Sequence, residues 1–372
     1  MHIVVDCRLG GIAHAGIGRY ITHLVRELLA LAPPSFRWTL LVTTRSQLSE
    51  ILGPNRKKYG SVESVLVPVK HYTIQEQLSL LPVLWRLKPD IFHVPHFNTP
   101  LLYTGTTIVT IHDLLWHERK GPSVTTLPIW QYWTKYLFYR LVVRQSISHA
   151  SKVLVPTKLV QAAVISHYPK ANNKIIVTPE GVTQAFLSQK ERVFNWSKRK
   201  LNGLLYVGSL YPHKNIALVL SALTKMPELK IKLVSSRSIF LKRTLDLAQS
   251  LGVTDQVKIL SNLTDAELAR EYTDSLALVQ PSHSEGFGLT GIEAMACGTP
   301  VLCSNIPVFR EVYKDHAFYF DPHSTESFLN ACAQLQKATV PNKIAVARAY
   351  SNHFTWKSTA GKTLEVYTSL TE

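Results

Sequence analysis

Several classes of function are closed by what the chain lacks. It has only four cysteines, Cys7, Cys297, Cys303 and Cys332, scattered and without a Cys-x-x-Cys spacing. Neither a disulfide framework nor a thiolate metal site is implied, and the four read as small buried apolar residues in a reducing, cytoplasmic compartment. No Asp-x-Asp pair occurs. Long apolar runs are missing too: residues 91–112 carry no Asp, Glu, Lys or Arg, but Pro95, Pro100 and Gly105 break them into strand, loop and strand. The start, Met-His-Ile-Val-Val-Asp, has a charge at position 6 and no signal-peptide layout. The sequons at Asn195 and Asn262 therefore carry little weight. Acidic residues are scarce, 25 Asp and Glu against 41 Lys and Arg, for a net charge of +16. Residues 1–190 hold a basic surplus of 12 and residues 191–372 a surplus of 4. A basic first half favours an acidic partner: anionic lipid headgroups, a phosphate-bearing acceptor or nucleic acid.

What is present suits two domains, since 372 residues with 46% hydrophobic content exceed one small core. Strand patterns at 2–7, 38–43, 62–67, 91–94, 107–111 and 153–156 alternate with helical patterns such as 20–31 and 74–87. A second series follows, with strands at 204–207, 231–234, 257–260, 276–279 and 301–304 and helices at 216–223 and 289–296. Alternation of this kind predicts parallel sheets with helices on both faces and a site at the carboxyl ends of the strands. The polar run 189–202, with Lys198-Arg199-Lys200, has no apolar periodicity and reads as a linker.

The most informative stretch is Gln280-Pro-Ser-His-Ser-Glu-Gly-Phe-Gly-Leu-Thr-Gly-Ile-Glu-Ala-Met-Ala-Cys-Gly-Thr-Pro-Val-Leu302. A strand runs into a glycine loop and a helix that Gly298 and Pro300 end. Two carboxylates stand on it, Glu285 at the strand exit and Glu293 inside the helix. Glycines let backbone approach a ligand, and a helix start offers unpaired N–H groups to an anion. The competing view is a solvated glutamate beside a chance Gly-x-Gly. The spaced carboxylates, the apolar flanks and the Ala-Met-Ala-Cys-Gly-Thr-Pro-Val ending weigh against it.

Glu-Gly-Phe-Gly-Leu-Thr-Gly-Ile-Glu-Ala resembles the E-x7-E signature of the retaining glycosyltransferases of family 4, which have the GT-B fold. The resemblance implies two Rossmann-like parallel-sheet domains facing a central cleft, here 1–190 and 200–354, with a last helix near 355–372 packing back on the first. It makes Glu285 and His112, in Thr-Ile-His-Asp-Leu, the catalytic candidates. Glu285 would contact the donor sugar, and His112 would position that sugar or an acceptor hydroxyl. Glu293 would hold the donor ribose, with Ser282, Gly286, Phe287, Gly288, Leu289 and Thr290 around the donor. Gly208-Ser209-Leu210-Tyr211-Pro212-His213-Lys214-Asn215 resembles the family's diphosphate loop, with Lys214 matching and Ser209 replacing an arginine. His213, Arg19 or Arg237 are the candidates to compensate. Asn262 and Leu263 match the loop whose backbone reads the base, where glycine is common in place of Asn262. Near the N-terminus Gly16 and Gly18 match a loop facing the donor phosphates, although the third glycine of a dinucleotide fingerprint is missing. Arg19 and Asp113 fall on the acceptor side, Asp113 either orienting His112 or touching the acceptor. His93 with His96 lacks a third metal ligand.

These matches imply transfer of mannose or a related hexose or deoxyhexose from a nucleotide-diphosphate sugar to a lipid-linked or glycan acceptor in polysaccharide or lipopolysaccharide assembly. A GDP-sugar is favoured over UDP- and dTDP-sugars. Without Asp-x-Asp, no metal is expected to bridge the phosphates, and no cofactor is expected. The rivals are a nucleotide-sugar epimerase of similar fold and a non-catalytic sugar-nucleotide or membrane-binding protein. Residues 116–144 interleave Trp116, Trp130, Tyr132, Trp133, Tyr136, Phe138 and Tyr139 with Arg119, Lys120, Lys135, Arg140 and Arg144. That pattern suits rings packed on the sheet, and equally an anionic membrane surface at the inner face. No motif for nucleic acid is present.

Overall fold

The first strand, β1 (His2–Asp6), is buried at all five positions. A strand with no exposed face must be covered on both sides, which is the condition of parallel sheets flanked by helices. The computed structural model describes every residue except 55, 119, 122–124, 126, 189–202, 236–239, 336, 338, 371 and 372, and for 15, 57 and 58 it describes the backbone alone. The expected linker with Lys198-Arg199-Lys200, and Arg119 and Arg237, lie outside the described residues.

Two all-parallel sheets follow one another along the chain. The first joins β1 to β2 (Arg37–Val42), β3 (Val62–Leu66), β4 (Ile91–Val94), β5 (Thr107–Thr110), β6 (Lys152–Val155) and β7 (Ile175–Val177) in the order β3-β2-β1-β4-β5-β6-β7. The second joins β8 (Leu204–Val207), β9 (Ile231–Val234), β10 (Val257–Leu260), β11 (Ala277–Gln280), β12 (Val301–Ser304) and β13 (Phe318–Phe320) in the order β10-β9-β8-β11-β12-β13. Strand order reverses between β1 and β4 and between β8 and β11, and the carboxyl ends at such reversals are where this architecture takes ligands. The three-residue β13, pairing with β12 through Leu302 and Phe318, is too short to leave a periodic trace in the sequence.

The chain divides into two compact units, Met1–Glu180 with Trp356–Glu372, and Gly181–Thr355. In the first, Val4, Phe92 and Val109 of the sheet share a cluster with Leu80 and Leu84 of the Ile74–Leu87 helix and Val143 and Ile147 of the Ile129–His149 helix. The opposite side carries the Ala15–Leu31 helix, against which the Trp356–Thr368 helix packs, with Trp356 stacked on His23. In the second unit, neighbours in one strand serve opposite faces. Leu204 packs with Val219 and Leu223, whereas Leu205 packs with Ile292, Met295 and Phe309. All four cysteines are buried and unpaired, and burial pushes the Cys332 thiol up to about 12. No described helix is long and apolar enough to cross a membrane.

Candidate active site

The second unit places its candidate residues at the β8–β11 reversal. After β8 the chain turns through Gly208 and a short 3-10 turn, Pro212–Lys214, into the Ile216–Leu223 helix. Asn215 adopts a left-handed backbone (φ 55°), and its amide Nδ2 donates to the carbonyls of Pro281 (3.0 Å) and Pro322 (2.9 Å). The His283 amide donates to the His213 carbonyl (2.8 Å). The loop after β8 is thereby pinned to the loop after β11. Lys214 Nζ meets both carboxylate oxygens of Glu285 at 2.7 Å. Ser282 Oγ donates to Glu285 Oε1 (2.8 Å). Burial would raise the Glu285 carboxyl, but Lys214 outweighs it and holds the group below the usual carboxylate range. The side chains are 18% and 15% exposed, so the pair is held at a strand mouth that solvent still reaches.

Beyond Glu285 the loop enters the Leu289–Ala296 helix through Gly288 (φ 93°), where an added Cβ would collide with the Tyr313 hydroxyl. That hydroxyl shares its one proton between the Gly288 carbonyl and Gln280 Oε1 (2.8 Å), and Gln280 Nε2 donates to Thr290 Oγ1 (2.8 Å). Tyr313 and Gln280 fix the entrance of the helix, whose first amides point where an anion is favoured. Thr290 has its hydroxyl engaged from inside. Phe287 is turned into the core against Phe354, so only its backbone faces the loop as a donor contact. Leu289 packs on the same core cluster. Glu293 is 1% exposed, and Tyr272 Oη donates to its Oε2 (3.0 Å). Buried and hydrogen-bonded, the carboxylate is fixed in orientation. At the β10 exit Asn262 takes the left-handed conformation (φ 55°), which explains why asparagine stands where glycine is common. Thr264 and Glu267 form a capping box for the Asp265–Asp274 helix. Ser209 accepts a hydrogen bond at its carbonyl from Tyr206 Oη (2.5 Å).

The first unit carries the rest of the named residues. His112 lies just beyond β5, its ring edge-on to Tyr20 at 4.5 Å. Its Nε2 lies 3.1 Å from the Pro95 carbonyl and its Nδ1 3.2 Å from Glu180 Oε1. Both partners are acceptors, so the protonated ring, with both nitrogens donating, is the form that satisfies both. Burial opposes the charge, but Glu180, the Pro95 carbonyl and Asp113 together raise the group above its ordinary value. Asp113 Oδ1 accepts from the Leu115 amide (3.0 Å), and Glu180, far along the chain, is the orienting carboxylate.

The Gly16–Gly18 loop is corrected. The helix starts at Ala15, so Gly16 and Gly18 belong to its first turn and Arg19 follows at once in the second. The two glycines differ: a Cβ on Gly16 meets nothing within 4 Å, whereas one on Gly18 would collide with the Gly11 carbonyl. Gly18 is required by packing, and only Gly16 leaves room for a ligand. His14, at the N-cap, makes no side-chain hydrogen bond to the first turn. His93 is buried against Tyr367, and burial lowers its imidazole to about 3. Among the described residues no group of three His, Cys, Asp or Glu could hold a metal.

Glu180, Tyr272, Gln280 and Tyr313 escaped the sequence reading because each acts through a partner distant in the chain.

Comparison with known proteins agrees with this architecture. The model for Glycosyltransferase Family 4 matches residues 14–186, and that for Glycosyl transferases group 1 matches residues 188–350. The O-antigen chain mannosyltransferase RfbU of Salmonella typhimurium is 28% identical over 285 residues, covering 76% of this chain and 75% of that one. The O-antigen chain mannosyltransferase B of Escherichia coli is 24% identical, covering 95% of each. Among solved structures, sucrose-phosphate synthase from Thermosynechococcus elongatus superposes with a TM-score of 0.76 at 17% identity, over 100% of this chain and 99% of that one. Anabaena Alr3699/HepE, in complex with UDP and glucose, gives 0.73 at 17% identity over 99% and 100%.

Proposed function

Since the chain is a glycosyltransferase of GT-B fold, a family 4 domain followed by a group 1 domain, we propose that it transfers mannose or a related hexose or deoxyhexose from a GDP-sugar to a lipid-linked glycan acceptor, with retention at the anomeric carbon. The mannosyltransferase names of its relatives support the sugar, and their O-antigen role supports an acceptor in cell-surface polysaccharide assembly. The observation that carries the reading is the Lys214–Glu285 pair at the β8–β11 reversal, beside a helix entrance fixed by Gly288.

Departure of the nucleotide diphosphate places negative charge on phosphate oxygens. Lys214 and the amides from Gly286 to Thr290 are the preorganised donors for it, and stabilising charge where it develops is the main way such a site lowers the barrier. Glu293 accepts from the ribose hydroxyls. Glu285 offsets positive charge building at the anomeric carbon. His112, kept in place by Glu180 on Nδ1, positions the sugar by exchanging its Nε2 contact with the Pro95 carbonyl for a sugar hydroxyl, as a donor rather than a base. Leaving-group charge rests on Lys214 and amides in this scheme, so chelation by EDTA should leave turnover unchanged.

The test is a panel of GDP-, UDP- and dTDP-sugars, each with and without a membrane lipid extract, following nucleotide diphosphate release and the anomer formed. GDP release that requires lipid extract supports the proposal. Epimerisation without release, or binding without turnover on every acceptor, rejects it. An inverted product rejects retention alone.

A further inference from the structure

The solvent face of the Ile129–His149 helix is built the wrong way round for a soluble protein. Its inner face is accounted for by Tyr132, Tyr139, Val142, Val143 and Ile147, all buried. Its outer face repeats Trp130, Trp133, Leu137 and Leu141 at helical spacing, with Trp130 68% and Leu137 69% exposed. The Ile74–Leu87 helix does the same with Ile74, Leu78 and Trp85, of which Ile74 is 71% exposed.

The two stripes belong to one surface. Both helices pack on the same side of the first sheet through one hydrophobic cluster. The Leu101 backbone is gripped from both, its amide donating to Gln77 Oε1 (2.8 Å) and its carbonyl accepting from Gln145 Nε2 (3.4 Å). Leu102, next in the chain, is 68% exposed between them. Isolated exposed leucines are ordinary, but apolar side chains aligned on two neighbouring helices mark a surface that something covers.

Charge selects the occupant. Across residues 70–88, 97–106 and 129–149 the only acidic residue is Glu76, and it is buried against Arg8 at 2.7 Å. Lys135 and Arg144 are exposed on the Ile129–His149 helix, Arg140 is half-buried there, and Lys70 and Lys88 flank the other helix. A symmetric pairing with a second copy would set these cations against themselves. Tryptophan and leucine on one face, basic residues around them and no exposed acid is the pattern of a helix lying in a lipid interface rather than crossing it. We infer that the face formed by the Ile74–Leu87 helix, Leu102 and the Ile129–His149 helix docks on an anionic lipid bilayer, the rings and leucines entering the headgroup region while Lys135, Arg140 and Arg144 meet lipid phosphates. The inference deepens the proposed function and rests on its lipid-linked acceptor, for which it names the surface.

The experiment is cosedimentation of the full chain, without donor, with vesicles of phosphatidylcholine alone or with about one-third phosphatidylglycerol. Binding should be at least about tenfold tighter on the anionic vesicles and should weaken with salt. The double variant Trp130→Ser, Leu137→Glu should lose about tenfold or more. It should keep the wild-type melting temperature, because both side chains project into solvent. Quenching of tryptophan emission by brominated lipid should likewise fall in the variant. Wild-type protein left in the supernatant overturns the inference, as does a variant that pellets equally well. A wild-type dimer in light scattering that the variant dissociates also overturns it, since a second copy would then cover the face. Docking is measured without catalysis, so vesicle binding with no sugar transfer sinks the proposed function alone. Transfer to a soluble acceptor with no vesicle binding sinks the docking face alone.

Discussion

Glu285→Gln should tighten the binding of free nucleoside diphosphate while nearly abolishing turnover. In the ligand-free site Lys214 gives its charge to both oxygens of Glu285 at 2.7 Å. A diphosphate that recruits Lys214 must draw it from at least one of them. Hydrogen bonds to charged groups contribute about 1.5–3 kcal/mol each. Exposed ion pairs contribute about 0–1 kcal/mol, whereas removing one partner of a fully buried pair costs about 3–5 kcal/mol. With side chains 18% and 15% exposed, this pair sits between those limits. Weakening it for an incoming phosphate costs roughly 1.5 kcal/mol, which is about tenfold in Kd. Glutamine is neutral and presents one acceptor, so most of that cost disappears in the variant.

Isothermal titration of GDP into wild type and Glu285→Gln should therefore show Kd falling about tenfold, with Lys214→Met moving it the other way. Turnover with the donor sugar should drop about 100-fold or more in Glu285→Gln, because the positive charge at the anomeric carbon loses its counter-charge. A GDP affinity unchanged within about twofold, or weaker, would mean that Lys214 does not leave Glu285 for phosphate. The diphosphate role of Lys214 would then fall with it. The pH window follows from the same pair. The Glu285 carboxyl is depressed in the folded chain, so its contribution to stability is full above the ordinary carboxylate value and is lost as pH falls through the lower folded value.

Glu180→Gln should lower the His112 imidazole pKa, since the foremost of the groups that raise it is neutralised while burial still opposes the charge, and an NMR titration of the ring would read the shift directly. The raised pKa stabilises the fold below the ordinary histidine value and ceases to do so as pH rises through the folded value, so an unchanged titration in the variant would refute the pairing. Gly18→Ala should destabilise by about 3 kcal/mol or more, because its Cβ would strike the Gly11 backbone. Gly16→Ala should raise helix stability by about 0.5–1 kcal/mol yet lower donor affinity, and retained affinity would remove Gly16 from the site. Thr264→Ala removes the hydroxyl arm of the capping box, leaving the backbone amide of residue 264 to donate to Glu267, and should lower the stability of the second unit by about 1 kcal/mol in urea, with no change in turnover.

How much of this was legible in the sequence depends on how far apart the cooperating residues stand. Strands β4, β8, β9, β10 and β12 were readable to the residue, because an apolar run bounded by glycine, proline or charge is a local signal. Glu285 and Glu293 were readable as a spaced pair, and Lys214 as a cation at a helix entrance. That Lys214 and Glu285 form one ion pair was not. They lie 71 residues apart, and only the adjacency of β8 and β11 brings their loops together. His112 and Glu180 are 68 residues apart and depend in the same way on where β5 and β7 end.

What was missed has one cause as well. Asp113, the neighbour of His112, acts on the ring through its charge while its carboxylate accepts from the Leu115 amide, and the carboxylate hydrogen-bonded to the ring, Glu180, comes from far along the chain. Gly16 and Gly18 look alike on paper, and they separate only when the Gly11 carbonyl is found against one of them. Arg8 stands at the mouth of β1, where a cation could meet a phosphate. It is 1% exposed and held by Asp6 and Glu76 at 2.7 Å each, so its charge is already matched inside the fold. A cation at a strand mouth is therefore available to substrate only where its counter-charge can be shared. Lys214, at the edge of solvent with a partner that itself faces the site, meets that condition, and Arg8 does not.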